Sequence, residues 1–136
     1  MSILIRSVDA LTLDDAGTIL HGVDMAIEGG RIVAIGQAPP GFEPAEVIDG
    51  RNHVALPGFF NAHSHAPMAL MRGYAEDLPL DRWFNERIWV IESALTPDDV
   101  YWGAALAACE MIRSGCVAFN DMYFHMDRVA EVVEQA

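Results

Sequence analysis

Two histidines separated by one residue, His63 and His65, are the side chains whose type and spacing indicate chemistry most directly. In a β-strand, side chains at positions i and i+2 leave the same face, so the two imidazoles would converge while Ser64 points away. Neutral imidazole nitrogen is a preferred ligand for zinc and iron. A catalytic zinc normally takes three protein ligands and keeps one position open, so the pair predicts part of a metal site.

The elements around the histidines are expected to be buried parallel strands and helices. Residues 59–62 form an apolar run with the histidines at its carboxyl end, which is typical of a strand covered on both faces. Residues 116–121 predict a second buried strand. Between them, Thr96 and the acidic residues after Pro97 predict a helix start, and Gly115 predicts the end of that helix.

The chain divides by pattern into two parts. Residues 1–56 predict a β module, because residues 23–27 and 31–35 flank Gly29-Gly30 as in a two-residue hairpin. Residues 57–136 alternate strand and helix, as at the start of a (β/α)8 barrel, which typically has about 250 residues. The predicted fold is therefore α/β: a β-sandwich-like module followed by the first two βα units of a TIM-type barrel that is incomplete in this chain.

Composition limits the classes of partner. Hydrophobic residues make up 52% of the 136 residues, and 20 acidic against 8 basic side chains give a formal net charge of -12. That charge repels phosphate backbones and anionic lipid, so nucleic acid and membrane surfaces are excluded as expected partners. No apolar run approaches the roughly 20 residues of a membrane span, and a cytoplasmic protein is expected. Cys109 and Cys116 are predicted to be small buried residues.

Longer motifs carry a resemblance to a known family. The decapeptide LPGFFNAHSH at residues 56–65 resembles the amidohydrolase superfamily, and in particular its branch of 5'-methylthioadenosine and S-adenosylhomocysteine deaminases, triazine hydrolases and guanine deaminases. The likeness continues in APMALMRG at 66–73, AEDL at 75–78, Trp83, Ile91-Glu92 and NDMYFH at 120–125. It extends over the whole chain but over only about the first third of a family member.

The resemblance implies roles for four residues. His63 and His65 match the first two ligands of one Zn²⁺ per active site, with Fe²⁺ as the other metal found in the family. Glu92 matches the acid that receives the ribose hydroxyls of an adenosine-type substrate, and Trp83 matches an aromatic that lies against the substrate. The other metal ligands and the general acid/base residues belong to later strands, so no catalytic residue is expected among these 136.

The implied activity belongs to the complete protein. It is hydrolytic deamination of a purine nucleoside such as 5'-methylthioadenosine or S-adenosylhomocysteine, with release of ammonia. The chain alone is expected to be inactive and to need the remaining barrel segment or a second chain. A homo-oligomeric assembly is also implied by the resemblance.

Other interpretations remain open at this stage. The heterocycle could be guanine or a chlorotriazine, or the chain could be a non-catalytic scaffold for a second polypeptide. Trp83 lies on an apolar helical stripe typical of core packing, and Glu92 could be a solvated helix-end residue. Asp121 could orient a metal ligand or serve as a loop residue, and His125 could border the site.

Overall fold

The computed structural model describes all residues from Met1 to Ala136, and the chain divides into two compact units, Met1–Pro57 and Gly58–Ala136. The first unit contains strands only, whereas the second combines a two-stranded sheet with helices. The mixed α/β class predicted from the sequence is therefore confirmed. None of the helices combines the length and the apolar character that crossing a membrane requires.

The first unit is built on one five-stranded sheet. Its strands are β1 (Ser2–Leu11), β2 (Ile19–Glu28), β3 (Arg31–Gly36), β4 (Glu46–Asp49) and β5 (Val54–Ala55). The order is β3-β2-β1-β4, with β1, β2 and β3 antiparallel, while β4 and β5 both pair with β1 in parallel. Gly29 and Gly30 have φ values of 58° and 77°, the left-handed conformation that a type I′ turn requires, so the predicted hairpin is confirmed.

The second unit places helices around a parallel pair of strands. Its elements are β6 (Phe59–Ser64), a 3₁₀ helix (Ala66–Met71), α1 (Leu80–Trp83), a π-helical turn (Phe84–Ile88), α2 (Trp89–Glu92), α3 (Pro97–Arg113), β7 (Cys116–Asp121) and α4 (Met126–Gln135). Strands β6 and β7 pair in parallel. The core lies between α3 and α4, where Val100, Ala104 and Ala108 pack against Val129 and Val132.

Helix α3 starts and ends where the sequence predicts. The Thr96 hydroxyl oxygen accepts a hydrogen bond from the Asp99 backbone N–H at 3.2 Å, and the Asp99 carboxylate accepts one from the Thr96 N–H at 2.8 Å. This reciprocal capping box satisfies two backbone donors that the first turn leaves free. At the other end Gly115 has φ 81°, the left-handed conformation common just after a helix.

Burial of the two strands differs from the expectation. Phe60 is 77% exposed and Val117 is 68% exposed, so the prediction of strands covered on both faces is wrong for this chain. The physical reason is that β6 and β7 pair only with each other, which leaves their apolar side chains without a covering layer.

The cysteine prediction also fails in part. Cys109 is exposed and Cys116 is half-buried. Cys109 follows the buried stripe of Val100, Ala104 and Ala108 by one position, which rotates it about 100° around the axis of α3, away from that stripe.

Candidate functional site

The structure brings the two predicted metal-binding histidines together. His63 is the penultimate residue of β6, and His65 follows the strand by one residue. Their Nε2 atoms are 3.3 Å apart, and the ring planes are nearly perpendicular at 84°. The carboxyl end of β6 therefore presents two imidazole nitrogens at one point.

The separation of the two nitrogens fits a shared metal ion. Nitrogen ligands bind zinc at about 2.0–2.1 Å, so two of them at a tetrahedral angle lie about 3.3–3.4 Å apart. His65 Nδ1 is 2.7 Å from the backbone carbonyl oxygen of Met122, which can only accept a hydrogen bond. In the neutral ring the proton therefore sits on Nδ1, and the Nε2 lone pair is left free for a metal.

Asp121 organises the backbone beside His65. Its carboxylate accepts a hydrogen bond from the Ala66 N–H at 3.1 Å and another from the Met122 N–H at 2.9 Å. It is hydrogen-bonded to neither imidazole. Asp121 therefore does not orient a histidine by a direct hydrogen bond. It connects the segment that follows β6 to the segment that follows β7.

The chain contains no group of three or more His, Cys, Asp or Glu side chains that could hold a metal ion. His63 and His65 are two ligands that could share one metal ion. A catalytic zinc site takes a third protein ligand, which this chain does not place beside them.

A cavity of about 320 Å³ opens beside the histidines and gathers three of the four predicted site residues, His65, Trp83 and Glu92. Phe84 and Trp89 line the same cavity, with ring centroids 5.2 Å apart. An apolar space with aromatic walls and a few polar groups is typical of a small-molecule site.

Trp83 lines this cavity, and a hydrogen bond from its indole N–H fixes its position. Its indole Nε1–H donates to the Ala75 carbonyl oxygen at 3.2 Å, and its ring packs edge-on against Phe84 at a centroid distance of 4.8 Å. The side chain is half-buried. Trp83 is therefore packed on one side and accessible to the cavity on the other, and its role in binding substrate stays a prediction.

The π-helical turn explains why Trp83 and Glu92 reach the same cavity. In an unbroken α-helix, residues nine positions apart lie about 180° apart around the axis. One extra residue accommodated in the turn Phe84–Ile88 reduces that angle to about 80°. The apolar spacing over residues 80–91 does not reveal this turn, because it is also compatible with a regular helix.

Tyr123 is a further residue of the cavity, and it was not predicted from the sequence. It lies two residues after β7 and lines the cavity together with Glu92. Its hydroxyl is buried and has no hydrogen-bond partner. Burial raises the pKa of the Tyr123 phenol well above its usual range, and the nearby Glu92 carboxylate raises it further. The quoted motif at residues 120–125 was the signal that could have identified it.

His125 lies beside a neighbouring cavity of about 470 Å³, which shares Trp89, Glu92 and Phe124 with the first. Its φ is 50°, in the left-handed region, where it precedes α4. The structure therefore places His125 at the border of the candidate site, next to Glu92 but not beside the two convergent imidazoles.

Comparison with known proteins identifies the family. The model of the amidohydrolase family matches residues 54–136. The chain belongs to the amidohydrolase family. The matched residues include every residue of the candidate site.

The relatives of this amidohydrolase chain include deaminases and a triazine-acting enzyme. It is 45% identical over 138 residues to a 5-methylthioadenosine/S-adenosylhomocysteine deaminase from Pelotomaculum thermopropionicum. That alignment covers 99% of this chain and 32% of the relative. An adenosine deaminase from Xanthomonas campestris with bound zinc superimposes with a TM-score of 0.88 at 35% identity, over 98% of this chain and 31% of the other. An atrazine chlorohydrolase from Arthrobacter aurescens complexed with zinc superimposes with a TM-score of 0.82 at 26% identity, over 98% of this chain and 33% of the other. The chain therefore spans about a third of the length of the proteins it matches.

Proposed function

We propose that this chain is the N-terminal part of a metal-dependent aminohydrolase that deaminates an adenosine-type nucleoside and releases ammonia. The candidate substrates are 5'-methylthioadenosine and S-adenosylhomocysteine. The observation that carries the proposal is the single cavity that gathers His65, Trp83 and Glu92 beside the convergent nitrogens of His63 and His65.

His63 and His65 would hold the metal through their Nε2 atoms, with zinc as the first candidate and iron as the second. When bound, such a metal supplies hydroxide at neutral pH by lowering the pKa of water from about 15.7 toward about 7. The Met122 carbonyl keeps the proton of His65 on Nδ1, so that Nε2 remains a ligand. The zinc-bound relatives support this assignment.

Glu92 and Trp83 would bind the nucleoside. A carboxylate has two oxygens and accepts hydrogen bonds from both hydroxyls of a vicinal diol, so Glu92 is suited to a ribose. Trp83, fixed by its hydrogen bond to Ala75, offers an aromatic surface for the substrate. The half-buried position of Glu92 strengthens such hydrogen bonds, because water competes less there.

The site's position supports a barrel in the complete protein. Strands β6 and β7 run parallel, a helix follows each, and the predicted ligands stand at the carboxyl end of β6. Active sites of (β/α)8 barrels lie at that end of the strands. We therefore infer that Gly58–Ala136 forms the first two βα units, and that the remaining segment or a second chain supplies the other ligands and the general acid/base residues.

Hydrolysis of another aromatic heterocycle is the second candidate, because an atrazine chlorohydrolase is among the structural relatives. Glu92 separates the two candidates, since a triazine carries no vicinal hydroxyls for a carboxylate to bind. The deaminase is favoured by the higher identity, 45% and 35% to the two deaminases against 26% to the triazine enzyme.

Replacement of Glu92 by alanine in the complete enzyme tests the proposal. We expect kcat/KM for 5'-methylthioadenosine to fall about 100-fold, because two hydrogen bonds to a charged group are lost. Ammonia release measures the activity, with a chlorotriazine and guanine assayed in parallel.

Glu86→Ala is the matched control, since Glu86 lies on the same helical segment but is exposed and paired with Arg82. An exposed pair of this kind contributes little, so this variant should keep the wild-type rate. Turnover of chlorotriazine but not of the nucleoside would overturn the proposed substrate class, as would a Glu92→Ala enzyme with unchanged kcat/KM for the nucleoside.

A further inference from the structure

The hydroxyl of Tyr123 is a buried polar group with no hydrogen-bond partner. Most buried hydroxyls in proteins are hydrogen-bonded, so one that is not calls for a specific explanation. Tyr123 is also absent from the roles considered so far for metal and substrate binding. Its ring lines the cavity that contains His65 and Glu92.

The ring of Tyr123 is held in place by packing against the helices of the second unit. It packs against the core that α3 and α4 form around Val100, Ala104 and Val129. A tyrosine side chain has few rotatable bonds, so a packed ring holds its hydroxyl at a defined point of the cavity wall. The hydroxyl thus has a fixed position without a fixed partner.

The carboxylate of Glu92 lines the same cavity and can accept a hydrogen bond from Tyr123. Its negative charge disfavours ionisation of the phenol, which therefore stays a hydrogen-bond donor. A phenol donates one hydrogen bond, whereas a carboxylate has about four acceptor positions on its two oxygens. One donor from Tyr123 therefore leaves positions on both oxygens for a substrate.

We propose that Tyr123 is a positioning residue that donates a hydrogen bond to Glu92 when substrate is bound, and so holds the carboxylate in the orientation that accepts a vicinal diol. The inference rests on the proposed function, since it takes Glu92 as the group that binds the ribose. Tyr123 itself does not touch the reacting atoms. Its effect is selectivity for a ribonucleoside over the corresponding deoxynucleoside.

Tyr123→Phe in the complete enzyme tests this role, because it removes the hydroxyl and keeps the ring. We expect KM for 5'-methylthioadenosine to rise about 10-fold, with kcat nearly unchanged, because an interaction equal in ground and transition states is lost. KM for the 2'-deoxy analogue should change far less. The melting temperature should be preserved, because the hydroxyl that is removed has no partner in the free protein.

Tyr101→Phe is the matched control. Tyr101 packs against the same core, but its hydroxyl donates to Gln135 at 2.9 Å and does not line the cavity. This variant should keep the wild-type KM for both nucleosides. The double variant Glu92→Ala/Tyr123→Phe completes a double-mutant cycle. It should have the same KM as Glu92→Ala alone, because Tyr123 acts through the Glu92 carboxylate.

The outcomes separate the inference from the proposed function. If Glu92→Ala abolishes the preference for the ribonucleoside and Tyr123→Phe leaves it intact, the inference is overturned and the proposed function stands. If Glu92→Ala itself leaves the preference intact, the assigned role of Glu92 fails and the inference fails with it. An equal rise in KM for both nucleosides on Tyr123→Phe, together with a lower melting temperature, would show a structural role and would also overturn the inference.

Discussion

One backbone carbonyl, that of Met122, decides which nitrogen of His65 can bind a metal. It accepts the Nδ1 proton at 2.7 Å and so leaves the Nε2 lone pair facing the Nε2 atom of His63. The segment that carries this carbonyl is tied down by Asp121, whose carboxylate accepts hydrogen bonds from the Met122 and Ala66 N–H groups. At the scale of single residues, the candidate metal site thus depends on a carboxylate that is hydrogen-bonded to neither imidazole.

Replacing Asp121 by alanine in the complete protein should weaken zinc binding about 10-fold, because the segment that orients His65 loses two hydrogen bonds. Competition with a chromophoric chelator measures the dissociation constant. Asp15→Ala, a change of an exposed turn residue in the first unit, is the control and should bind zinc as the wild type does. An unchanged constant for Asp121→Ala would exclude this supporting role.

At the scale of elements, the π-helical turn Phe84–Ile88 sets the direction of Glu92. It accommodates one residue between α1 and α2 without the rotation of about 100° that this residue would add in an α-helix, so Glu92 points toward the cavity that Trp83 already lines. A π turn costs helix stability, and such turns are frequent at functional sites. Here its consequence is geometric, because a regular helix would place the two side chains on opposite faces.

Deleting the exposed Arg87 should convert the π turn to α-helix and leave Trp83 and Glu92 eight positions apart, again about 80° around the axis. Glu92 should therefore still reach the cavity, and we expect kcat/KM for the nucleoside to stay within about threefold of the wild-type value, with zinc binding kept. Arg87→Ala is the control, since it removes the same side chain without shortening the backbone. A fall of about 100-fold in kcat/KM for the deletion variant, as for loss of the Glu92 carboxylate, would contradict the assigned geometry.

The contact between α3 and the 3₁₀ helix is a second determinant at this scale. A Cβ atom placed on Gly103 would lie 2.5 Å from the Pro67 carbonyl oxygen and 2.9 Å from its Cα. Pro67 is fully buried and follows His65 by two residues. The glycine therefore allows α3 to support the segment that directly follows the two histidines.

Gly103→Ala should destabilise the protein by about 2 kcal/mol, because the new methyl group overlaps backbone atoms that cannot move without displacing the 3₁₀ helix. In an open helix the same change would stabilise by up to about 1 kcal/mol. Thermal and denaturant unfolding measure the difference. Cys109→Ala, at an exposed position of the same helix, should change stability little, and a stabilised Gly103→Ala variant would show that the close approach is absent.

At the scale of the whole molecule, the question is what completes the candidate metal site. This chain contributes two imidazoles, and no third group able to hold a metal lies beside them. The exposed apolar side chains of β6 and β7, including Phe60 and Val117, mark a sheet that has only two strands. Both features agree with the proposal that further strands supply the other ligands, and the homo-oligomeric state stays a prediction.

A zinc titration tests this proposal. We expect the 136-residue chain alone to bind zinc weakly, and the chain together with the remaining segment to bind it tightly, because two ligands do not complete a tetrahedral site. With a net charge of -12 the chain also attracts cations non-specifically, so the titration needs about 0.15 M salt. The double variant His63→Ala/His65→Ala is the control, and absence of tight binding in both states of the wild type would exclude the split-site proposal.

The sequence by itself determined the features that depend on neighbouring residues. The Gly29-Gly30 hairpin, the capping box of Thr96 and Asp99, and the placement of the histidines at a strand end all follow from local backbone sterics and hydrogen bonding over a few positions. The amidohydrolase resemblance also follows from such short motifs. These features are therefore recognisable before any tertiary contact is known.

Only the tertiary structure decided how distant residues share one cavity. The contact of His65 with Met122 joins positions 57 residues apart, and Glu92 approaches Tyr123 only because a π turn and the packing of α3 with α4 set their directions. Periodicity cannot report an extra residue in a helix, nor the exposure of a strand that has one neighbour. Such properties arise from packing over the whole unit, where a small rotation of one element decides which side chains meet.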